Sequence, residues 1–371
     1  MPPHASNSTQ NFVQHPVNSP IFGNNAKAPK SSDATSAQPK APKCSRKSGH
    51  NLRIATINVH AAKDEFALAS CALQSKALGH DVCLIQETWR NGTSELAFSD
   101  AALKGWRVLH NGLPSGQRAG IAFILAPAVK LLDVNHVEPG RISIIRISIE
   151  GQKITLANFY GYTNIDATFP PCRRRALFAK LIDAVKSVKS KFPGSKLLIG
   201  GDFNATVGRV EALESGGTFG PNCDEVESNF NGRQVLALAQ ELDLFCLESF
   251  YRSKAIHRAT FYSNLGYSRK LDYFLAEWHF RKFSNSCRVF RGASKPYNSD
   301  HRLLVLDARL PTRAQRKQIA NRRPKPLPRP DMHRRRWCFF VKLVSAFEVS
   351  WIWVFVINPL DEIVSAKYYS A

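Results

Sequence analysis

Residues 200–205 read Gly-Gly-Asp-Phe-Asn-Ala and place a carboxylate and an amide two residues apart, directly after the apolar run Leu197-Leu198-Ile199. The apolar run is typical of a buried strand. Because residues i and i+2 share one face of an extended chain, Asp202 and Asn204 are expected to point the same way, with Phe203 packed into the core. The two glycines are expected to let the chain turn tightly. A carboxylate beside an amide suits acid–base and hydrogen-bonding chemistry, although an ordinary turn uses the same residue types.

Polar side chains also lie at the ends of several other predicted strands. A single acid at a strand end is usually a solvated cap, and a lone histidine is more often structural than catalytic. Ligand sites, however, favour sheet edges where several strands end. Besides Asp202 and Asn204, the polar strand ends are Asn58, Glu87, Tyr160, Asp272 and the run Asn298-Ser299-Asp300-His301. Their recurrence indicates a functional site that is assembled from distant parts of the chain.

Short apolar runs and a few amphipathic helical patterns fill the middle of the chain. We predict helices over about 64–78, 173–191 and 233–242, with Asn231 as the N-cap of the last. We predict strands at 52–59, 81–86, 106–110, 119–125, 142–149, 153–160, 196–201, 244–248, 259–263, 271–276 and 303–310. This pattern favours an α/β fold in which two packed, mostly antiparallel sheets are flanked by helices.

The chain has 371 residues and a formal net charge of +22, much of which lies outside this predicted domain. Residues 1–50 carry six Lys/Arg against one acid, and residues 311–336 carry ten against one. We predict a disordered basic tail over 1–50, one domain over 51–310, a basic Pro/Arg-rich linker over 311–336 and an apolar tail over 337–371. A basic domain with basic arms favours a polyanionic partner, either nucleic acid or an anionic membrane surface.

Eight cysteines are scattered without a C-x-x-C pair, which argues against zinc-ribbon and thioredoxin-type sites. Cys83 and Cys246 lie inside apolar runs and are expected in the core. The polar start of the chain does not resemble a secretory signal, so we expect a nuclear or cytoplasmic protein that is not secreted. Lys342 and Glu348 interrupt the apolar stretch Trp337–Leu360. No stable membrane span is expected there, because a bilayer requires about 20 apolar residues.

The order of the polar strand ends resembles the endonuclease/exonuclease/phosphatase superfamily. Within it, the resemblance is closest to apurinic/apyrimidinic endonucleases and to the endonuclease domains of non-LTR retrotransposons. Gly-Gly-Asp-Phe-Asn, Gln-Glu-Thr and Ser-Asp-His carry the resemblance, which covers residues 52–310. It implies a four-layer α/β sandwich and a Mg²⁺-dependent phosphodiester hydrolase, with Mn²⁺ as the alternative ion. We expect the partner to be the phosphate backbone of DNA and the protein to be a monomer.

The resemblance assigns three residues to the metal. Glu87 would hold Mg²⁺, because a hard dication prefers carboxylate oxygen. Asn58 would help to position the metal or the phosphate, and Asp300 would supply a second metal contact or anchor its loop. Repair endonucleases carry an acid two residues after the asparagine, where this chain has His60. An imidazole does not replace that acid as a ligand for a hard ion, so the number of metals stays open.

The resemblance assigns five residues to catalysis. His301 resembles a base-like histidine at the scissile phosphate, and Asp272 would fix its tautomer. Asp202 would orient the attacking water or handle a proton. Asn204 and Tyr160 would hydrogen-bond phosphate oxygens, where negative charge must be stabilised in the transition state.

Three further departures concern the substrate. Thr88-Trp89 replaces a Thr-Lys pair, Gly161-Tyr162 replaces an Ala-Pro pair, and Arg269-Lys270-Leu271 lacks an aromatic residue that would enclose an abasic sugar. They weaken a dedicated repair role and favour a retrotransposon-type endonuclease that nicks DNA, in which case the chain is expected to be a truncated or domesticated copy. Three alternatives remain: a catalytically impaired nucleic-acid-binding relic, a phosphatase or phosphodiesterase for lipid head groups, and an exonuclease for poly(A) RNA.

Overall fold

Most of the predicted domain and two short C-terminal segments are described by the computed structural model. The described residues are 51–114, 118–164, 168–290, 297 and 299–311, with the backbone of 351–357 and 363–370. The predictions for the basic tail 1–50, for all but the first residue of the linker 311–336 and for most of the tail 337–371 therefore lie outside the described residues.

Two sheets form the centre of the domain. Their strands, in chain order, are β1 (Asn51–Asn58), β2 (Val82–Gln86), β3 (Thr93–Ala97), β4 (Arg107–Asn111), β5 (Ile121–Leu125), β6 (Lys130–Glu138), β7 (Ile142–Ile149), β8 (Gln152–Tyr160), β9 (Lys196–Asp202), β10 (Phe245–Cys246), β11 (Phe261–Tyr262), β12 (Ser268–Arg269), β13 (Asp272–Ala276), β14 (Ser284–Phe290) and β15 (Leu303–Arg309). One sheet has the order β14-β15-β1-β2-β5-β4-β3 and the other β10-β13-β9-β8-β7-β6, while β11 and β12 form a separate hairpin. The pairs β1–β2 and β8–β9 are parallel and the other pairs are antiparallel.

The described part of the domain contains five α-helices. They are α1 (Glu65–Ala77), α2 (Pro171–Lys191), α3 (Arg209–Glu214), α4 (Phe230–Glu241) and α5 (Trp278–Phe283). Of these, α1, α2 and α4 lie on the outer faces of the sheets. Buried residues of α1 share a core cluster with the first sheet, and buried residues of α2 and α4 share one with the second sheet. A third cluster lies between the sheets and takes residues from both. The layers are thus helix, sheet, sheet and helix, which confirms the predicted four-layer sandwich.

The two-residue period of each strand decides which side chains lie between the sheets. On β1, Leu52 and Ile54 pack between the sheets, whereas Ala55 and Ile57 pack on the α1 side. When this alternation continues to the end of the strand, Asn58 falls on the inward face. The same argument applies to the ends of β8, β9 and β13, so these strands deliver polar side chains to one edge of the sandwich.

A buried polar bridge joins the sheets just below that edge. The amide of Gln86 donates to Asn158 Oδ1 at 2.7 Å and to Thr56 Oγ1 at 3.0 Å. Asn158 donates in turn to the backbone carbonyls of Ile85 and Ala122. Because Thr56, Gln86 and Asn158 are at most 2% exposed, each bond forms away from water and fixes the strand ends relative to each other.

The two glycines of the Gly-Gly-Asp-Phe-Asn stretch lie inside β9, so the predicted tight turn at these residues is wrong. A Cβ on Gly200 would lie 2.5 Å from the ring of Phe274, between the sheets. Gly201 has a φ of +146°, and a Cβ there would lie 1.9 Å from the carbonyl oxygen of Phe159 on the neighbouring strand. Both glycines therefore allow close approach of neighbouring groups, which is the second common use of this residue.

The predicted N-cap of α4 is also wrong. The cap is Asn229, whose side chain accepts a hydrogen bond from Gly232 N at 2.7 Å. Asn231 lies inside the helix and is fully buried. Its Nδ2 donates to the carbonyls of Tyr162 and Phe203 at 2.8 and 3.0 Å. Asn231 thus ties α4 to the segments that follow β8 and β9.

The C-terminal segment contains two further strands, β16 (Trp351–Ile357) and β17 (Ile363–Ser370), which pair antiparallel. The sequence analysis assigned no strand here. Among the described residues, no helix combines the length and apolar character needed to cross a membrane.

Candidate active site

The structure brings the predicted polar strand ends together at one edge of the sandwich. Seven of the eight predicted site residues form a continuous network of hydrogen bonds and ion pairs. These are Asn58, Glu87, Tyr160, Asp202, Asn204, Asp272 and His301. Asp300 stays outside this network.

Glu87 lies at the centre of one half of the site. Its Oε1 accepts hydrogen bonds from Tyr160 Oη at 2.6 Å and from Asn58 Nδ2 at 2.8 Å. Its Oε2 accepts from Trp89 Nε1 at 3.2 Å. Asn58 Nδ2 also donates to Asp202 Oδ2 at 3.0 Å and thereby connects the two halves of the site. Two other strand ends and Trp89 of the same loop therefore fix the orientation of the Glu87 carboxylate.

The loops that carry these residues have unusual backbone conformations. Among the described residues, five of the seven non-glycine residues with positive φ lie at the site: His60, Ala61, Glu87, Trp89 and Asn204. Such conformations cost roughly 1–3 kcal/mol each and persist only where the surroundings impose them. Here the backbone bonds Ala61 N to Glu87 O and Trp89 N to Ala119 O, at 2.9 and 2.8 Å, hold the loops in place. The fold therefore stores strain in the loops around Glu87.

Asp202, Asp272 and His301 form the other half of the site. His301 Nδ1 lies 2.8 Å from Asp272 Oδ2, and Nε2 lies 3.8 Å from Asp202 Oδ2. His301 is 4% exposed and the two carboxylates are at most 1% exposed. The second distance is too long for a hydrogen bond. The Nε2 side of the imidazole is therefore available to an acceptor from outside the protein.

The electrostatics of this buried group favour an imidazolium. Burial by itself lowers the pKa of His301, but the carboxylates of Asp272 and Asp202 outweigh it and raise that pKa to about 10. Burial raises the pKa of Asp202, while the positive charge of His301 opposes the rise. One cation thus faces two carboxylates, and burial favours the protonated form of Asp202. The base-like neutral imidazole that the sequence suggested is the less favoured form of His301.

Asn204 lies in a turn after the end of β9, and this turn, not the alternation of an extended strand, places it in the site. Strand β9 ends at Asp202, and Asn204 has a φ of +48°, so the extended geometry assumed from the sequence is wrong at this residue. Its backbone N–H donates to Asp202 Oδ1 at 2.8 Å, and its Nδ2 donates to the Gly161 carbonyl at 3.0 Å. Phe203 is fully buried, as predicted. Asp202 and Asn204 therefore share the site, but for a different geometric reason.

Asp300 is the predicted site residue with the weakest connection. Its Oδ1 is buried without a hydrogen-bond partner and lies 3.9 Å from His60 Nδ1. Ser299, which the sequence analysis did not place in the site, connects this segment to the rest. Its hydroxyl donates to the Asn58 carbonyl and accepts from His301 N. Ser299 thus orders the segment before β15 and helps to position His301.

The ligand atoms available on the Glu87 side of the site suit a hard metal ion better than those around His301. Glu87 Oε2 accepts one hydrogen bond and keeps acceptor capacity, and Asn58 Oδ1 accepts one from the His60 N–H. Carboxylate and amide oxygens are the ligands that Mg²⁺ prefers. Asp202, Asp272 and His301 also place one possible ligand atom each within 4.8 Å of one another. An imidazolium, however, presents protons instead of lone pairs to a cation.

Comparison with known proteins gives the class of this domain. A family model described as the Endonuclease/Exonuclease/phosphatase family matches residues 55–301. The chain therefore belongs to this family. A search of curated protein sequences gives no match.

Among the similar solved structures, one supports the fold. An AP endonuclease from Leishmania major superposes with a TM-score of 0.52 at 14% identity, covering 70% of this chain and 88% of that one. The endonuclease domain of TRAS1, a telomere-specific non-LTR retrotransposon, has a TM-score of 0.49 at 17% identity, with 70% and 99% covered. A 3′ phosphatase from Neisseria, bound to a product DNA hairpin, has a TM-score of 0.49 at 19% identity, with 70% and 100% covered.

Proposed function

We propose that this protein is a Mg²⁺-dependent endonuclease of the retrotransposon type that nicks DNA. The observation that carries the proposal is the buried Asp202–His301–Asp272 group, joined through Asn58 to the Glu87 carboxylate. This arrangement pairs a cationic donor with a carboxylate of raised pKa, beside a site with oxygen ligands. It meets the requirements of in-line phosphodiester hydrolysis, which are a positioned water and stabilisation of phosphate charge.

The side chains divide this chemistry among them. The imidazolium of His301 donates its Nε2–H to a non-bridging phosphate oxygen, and Asp272 holds the ring. Asp202 accepts a proton from the attacking water as the water oxygen bonds to phosphorus; the bond from phosphorus to the leaving oxygen breaks, and that oxygen takes a proton from solvent. Asn204 and Tyr160 donate hydrogen bonds to phosphate oxygens once substrate displaces their present acceptors.

The metal would bind on the Glu87 side of the site. Glu87 and Asn58 would hold a Mg²⁺ ion, with Asp300 as a candidate further contact. When bound, the ion supplies positive charge that neutralises the phosphate oxygens.

Charge at the rim of the site supports a nucleic-acid substrate. Lys63 and Arg118 lie over the ring of Trp89, at 5.4 and 5.1 Å from its centre. Both cations are exposed, and neither forms an ion pair with a described residue. Unpaired cations beside an aromatic ring suit contact with phosphates and bases. We further expect a monomer located in the nucleus or cytoplasm.

Cleavage of supercoiled plasmid tests the proposal. Full-length protein with Mg²⁺ is expected to convert the plasmid to the nicked form, and EDTA is expected to stop the reaction. Asp202→Asn is expected to lower the rate by roughly 10³-fold or more, since members of such a unit act together. Asp183→Asn, an exposed acid on α2, is the matched control. A folded wild type that binds plasmid without nicking it would refute the endonuclease assignment and favour a binding relic.

A further inference from the structure

Arg141 is a buried arginine whose guanidinium has no acidic partner among the described residues. The residue is 7% exposed. Within the described part of the chain its guanidinium forms no ion pair and one hydrogen bond, from Nη1 to the Gly161 carbonyl at 3.2 Å. A guanidinium has five N–H donors, and arginine is almost never fully buried unless it is paired. Most of its donors and all of its charge therefore lack a partner in the described part of the chain.

This guanidinium lies against the residues that we assign to phosphate binding. Arg141 directly precedes β7, and its carbonyl accepts a hydrogen bond from Tyr160 N at 2.9 Å. Its guanidinium carbon is 4.2 Å from the centre of the Tyr160 ring. The Gly161 carbonyl that accepts from Arg141 also accepts from Asn204 Nδ2 at 3.0 Å. Arg141 thus borders both Tyr160 and Asn204.

An aromatic stack leads from Arg141 to the protein surface. The rings of Tyr162 and Phe169 are stacked with their centres 4.1 Å apart, and Arg141 lies 4.5 Å from the centre of Tyr162. At the other end Arg173 lies 5.3 Å from the centre of Phe169. Arg173 is exposed and forms no ion pair with a described residue. The rings orient both guanidiniums but do not neutralise them, so the stack joins two unpaired cations.

We propose that Arg141 binds a phosphate of the DNA backbone next to the scissile phosphate, on the Tyr160 side of the site. The proposal rests on the proposed function and names a further substrate contact for it. A planar guanidinium can donate two parallel hydrogen bonds to one phosphate, and its delocalised charge tolerates partial burial better than an ammonium does. Arg173 would contact the backbone further out, along the same aromatic stack.

A purely structural role is the competing explanation. Arg141 could serve only to hold the aromatic rings together. Two variants separate the explanations, because Arg141→Lys keeps the charge but loses the planar stacking group, and Arg141→Gln loses the charge. Arg146→Gln is the matched control. Arg146 also lies on β7 and also stacks on a ring, that of Phe192, without an ion pair to a described residue.

Binding of full-length protein to a fluorescent DNA duplex of about one helical turn, measured by anisotropy in EDTA, tests the proposal. Arg141→Gln is expected to weaken binding roughly tenfold and to lower the slope of log K against log salt by about one. In a series of duplexes, a neutral methylphosphonate replaces each phosphate in turn. At one position the methylphosphonate is expected to weaken DNA binding by wild type and by Arg141→Lys, but to have no effect on binding by Arg141→Gln.

The proposal would be overturned if methylphosphonate substitution weakened the binding of wild type and of Arg141→Gln equally at every phosphate position. The proposal would also be overturned if Arg141→Lys bound DNA no more tightly than Arg141→Gln, or if Arg141→Gln bound DNA as tightly as wild type. If Arg141→Gln does not fold, the wild-type and Arg141→Lys scans decide: a phosphate contact predicts one position at which the methylphosphonate weakens the two proteins to different extents, because lysine cannot donate two parallel hydrogen bonds, whereas a structural role predicts equal sensitivity at every position. Wild type that binds but does not cut refutes the endonuclease assignment alone, whereas wild type that does not bind DNA refutes both proposals.

Discussion

Replacing Asp272 by Asn removes the charge that faces His301 and leaves the shape of the side chain almost unchanged. The His301–Asp272 pair is buried and 2.8 Å long. The substitution therefore removes the charge of one carboxylate and weakens the hydrogen bond that orients the ring. The amide N–H of Asp272 bonds Thr260 Oγ1 at 3.1 Å, and the substitution does not touch this bond. The variant is expected to fold.

The pKa of His301 sets the size of the effect. Its rise from 6.5 to about 10, against the opposing effect of burial, corresponds to roughly 5 kcal/mol of net stabilisation of the imidazolium. Asp272 lies at 2.8 Å and Asp202 at 3.8 Å, so the Asp272 carboxylate is the main cause of this stabilisation. Without that charge the pKa of His301 is expected to fall, because burial then opposes the imidazolium with less compensation.

The assay is plasmid nicking at a series of pH values. Wild type is expected to keep its kcat/KM up to about pH 9, whereas Asp272→Asn is expected to lose activity at a lower pH than wild type does. At pH 7 the variant is expected to be slower by roughly 10²- to 10⁴-fold, because the ring also loses its orientation. Unfolding gives a second readout. A raised folded pKa of His301 stabilises the fold fully below pH 6.5, and this contribution is lost as pH rises through about 10.

Two results would refute this reasoning. The first is an unchanged alkaline limb of the pH profile in the folded variant. The second is a rate within threefold of wild type at pH 7, with Asp183→Asn as the control for a surface charge change.

Two further predictions concern stability. Gly201→Ala is expected to destabilise the fold by roughly 3 kcal/mol or more, because its Cβ would lie 1.9 Å from the Phe159 carbonyl. Gly194→Ala is the control, since a Cβ at Gly194 has open space around it. Equal midpoints of urea unfolding for the two variants would contradict the argument. Burial, aided by the Arg53 charge, lowers the pKa of His80 from 6.5 to about 4. The free energy of unfolding is therefore expected to fall by roughly 3 kcal/mol as pH falls from 6.5 to 4. In His80→Gln the same change of pH is expected to lower it by less. An equal loss in that variant would show that other groups are responsible.

The sequence predicted the site well where strand alternation decides it. Asn58, Tyr160, Asp202 and Asp272 all lie at strand ends, and a two-residue period continued from the apolar core aims them between the sheets. Helix α1 was predicted, but the apolar stripe through Phe66 and Leu73 that indicated it is wrong, because both side chains are exposed. The helix buries Leu68, Cys71 and Ala72 instead. The order of residues along the chain identified the family before any contact was known.

The sequence could not predict features that depend on close approach of distant segments. The bends after β2 and β9 arise from contacts between neighbouring loops, so the left-handed conformations of Glu87 and Asn204 leave no local signal. The roles of Gly200 and Gly201 depend on Phe274 and Phe159, which are distant in sequence. That Arg141 has no acidic partner among the described residues is visible only in three dimensions.

Other misses have local causes. Strand β6 is a sheet edge with few buried residues, so it lacks an apolar pattern. Helices α3 and α5 span six residues each, which is too short for a 3.6-residue period to emerge.

The central claim is that Glu87 supports metal-dependent cleavage of DNA at this site. The most direct measurement is the rate of plasmid nicking by full-length wild type and Glu87→Gln during a titration with Mg²⁺. We predict no nicking in EDTA, a saturable rise for wild type, and a rate at least about 100-fold lower for Glu87→Gln at saturating Mg²⁺. Nicking that persists in EDTA, or the same titration curve for both proteins, would contradict the account.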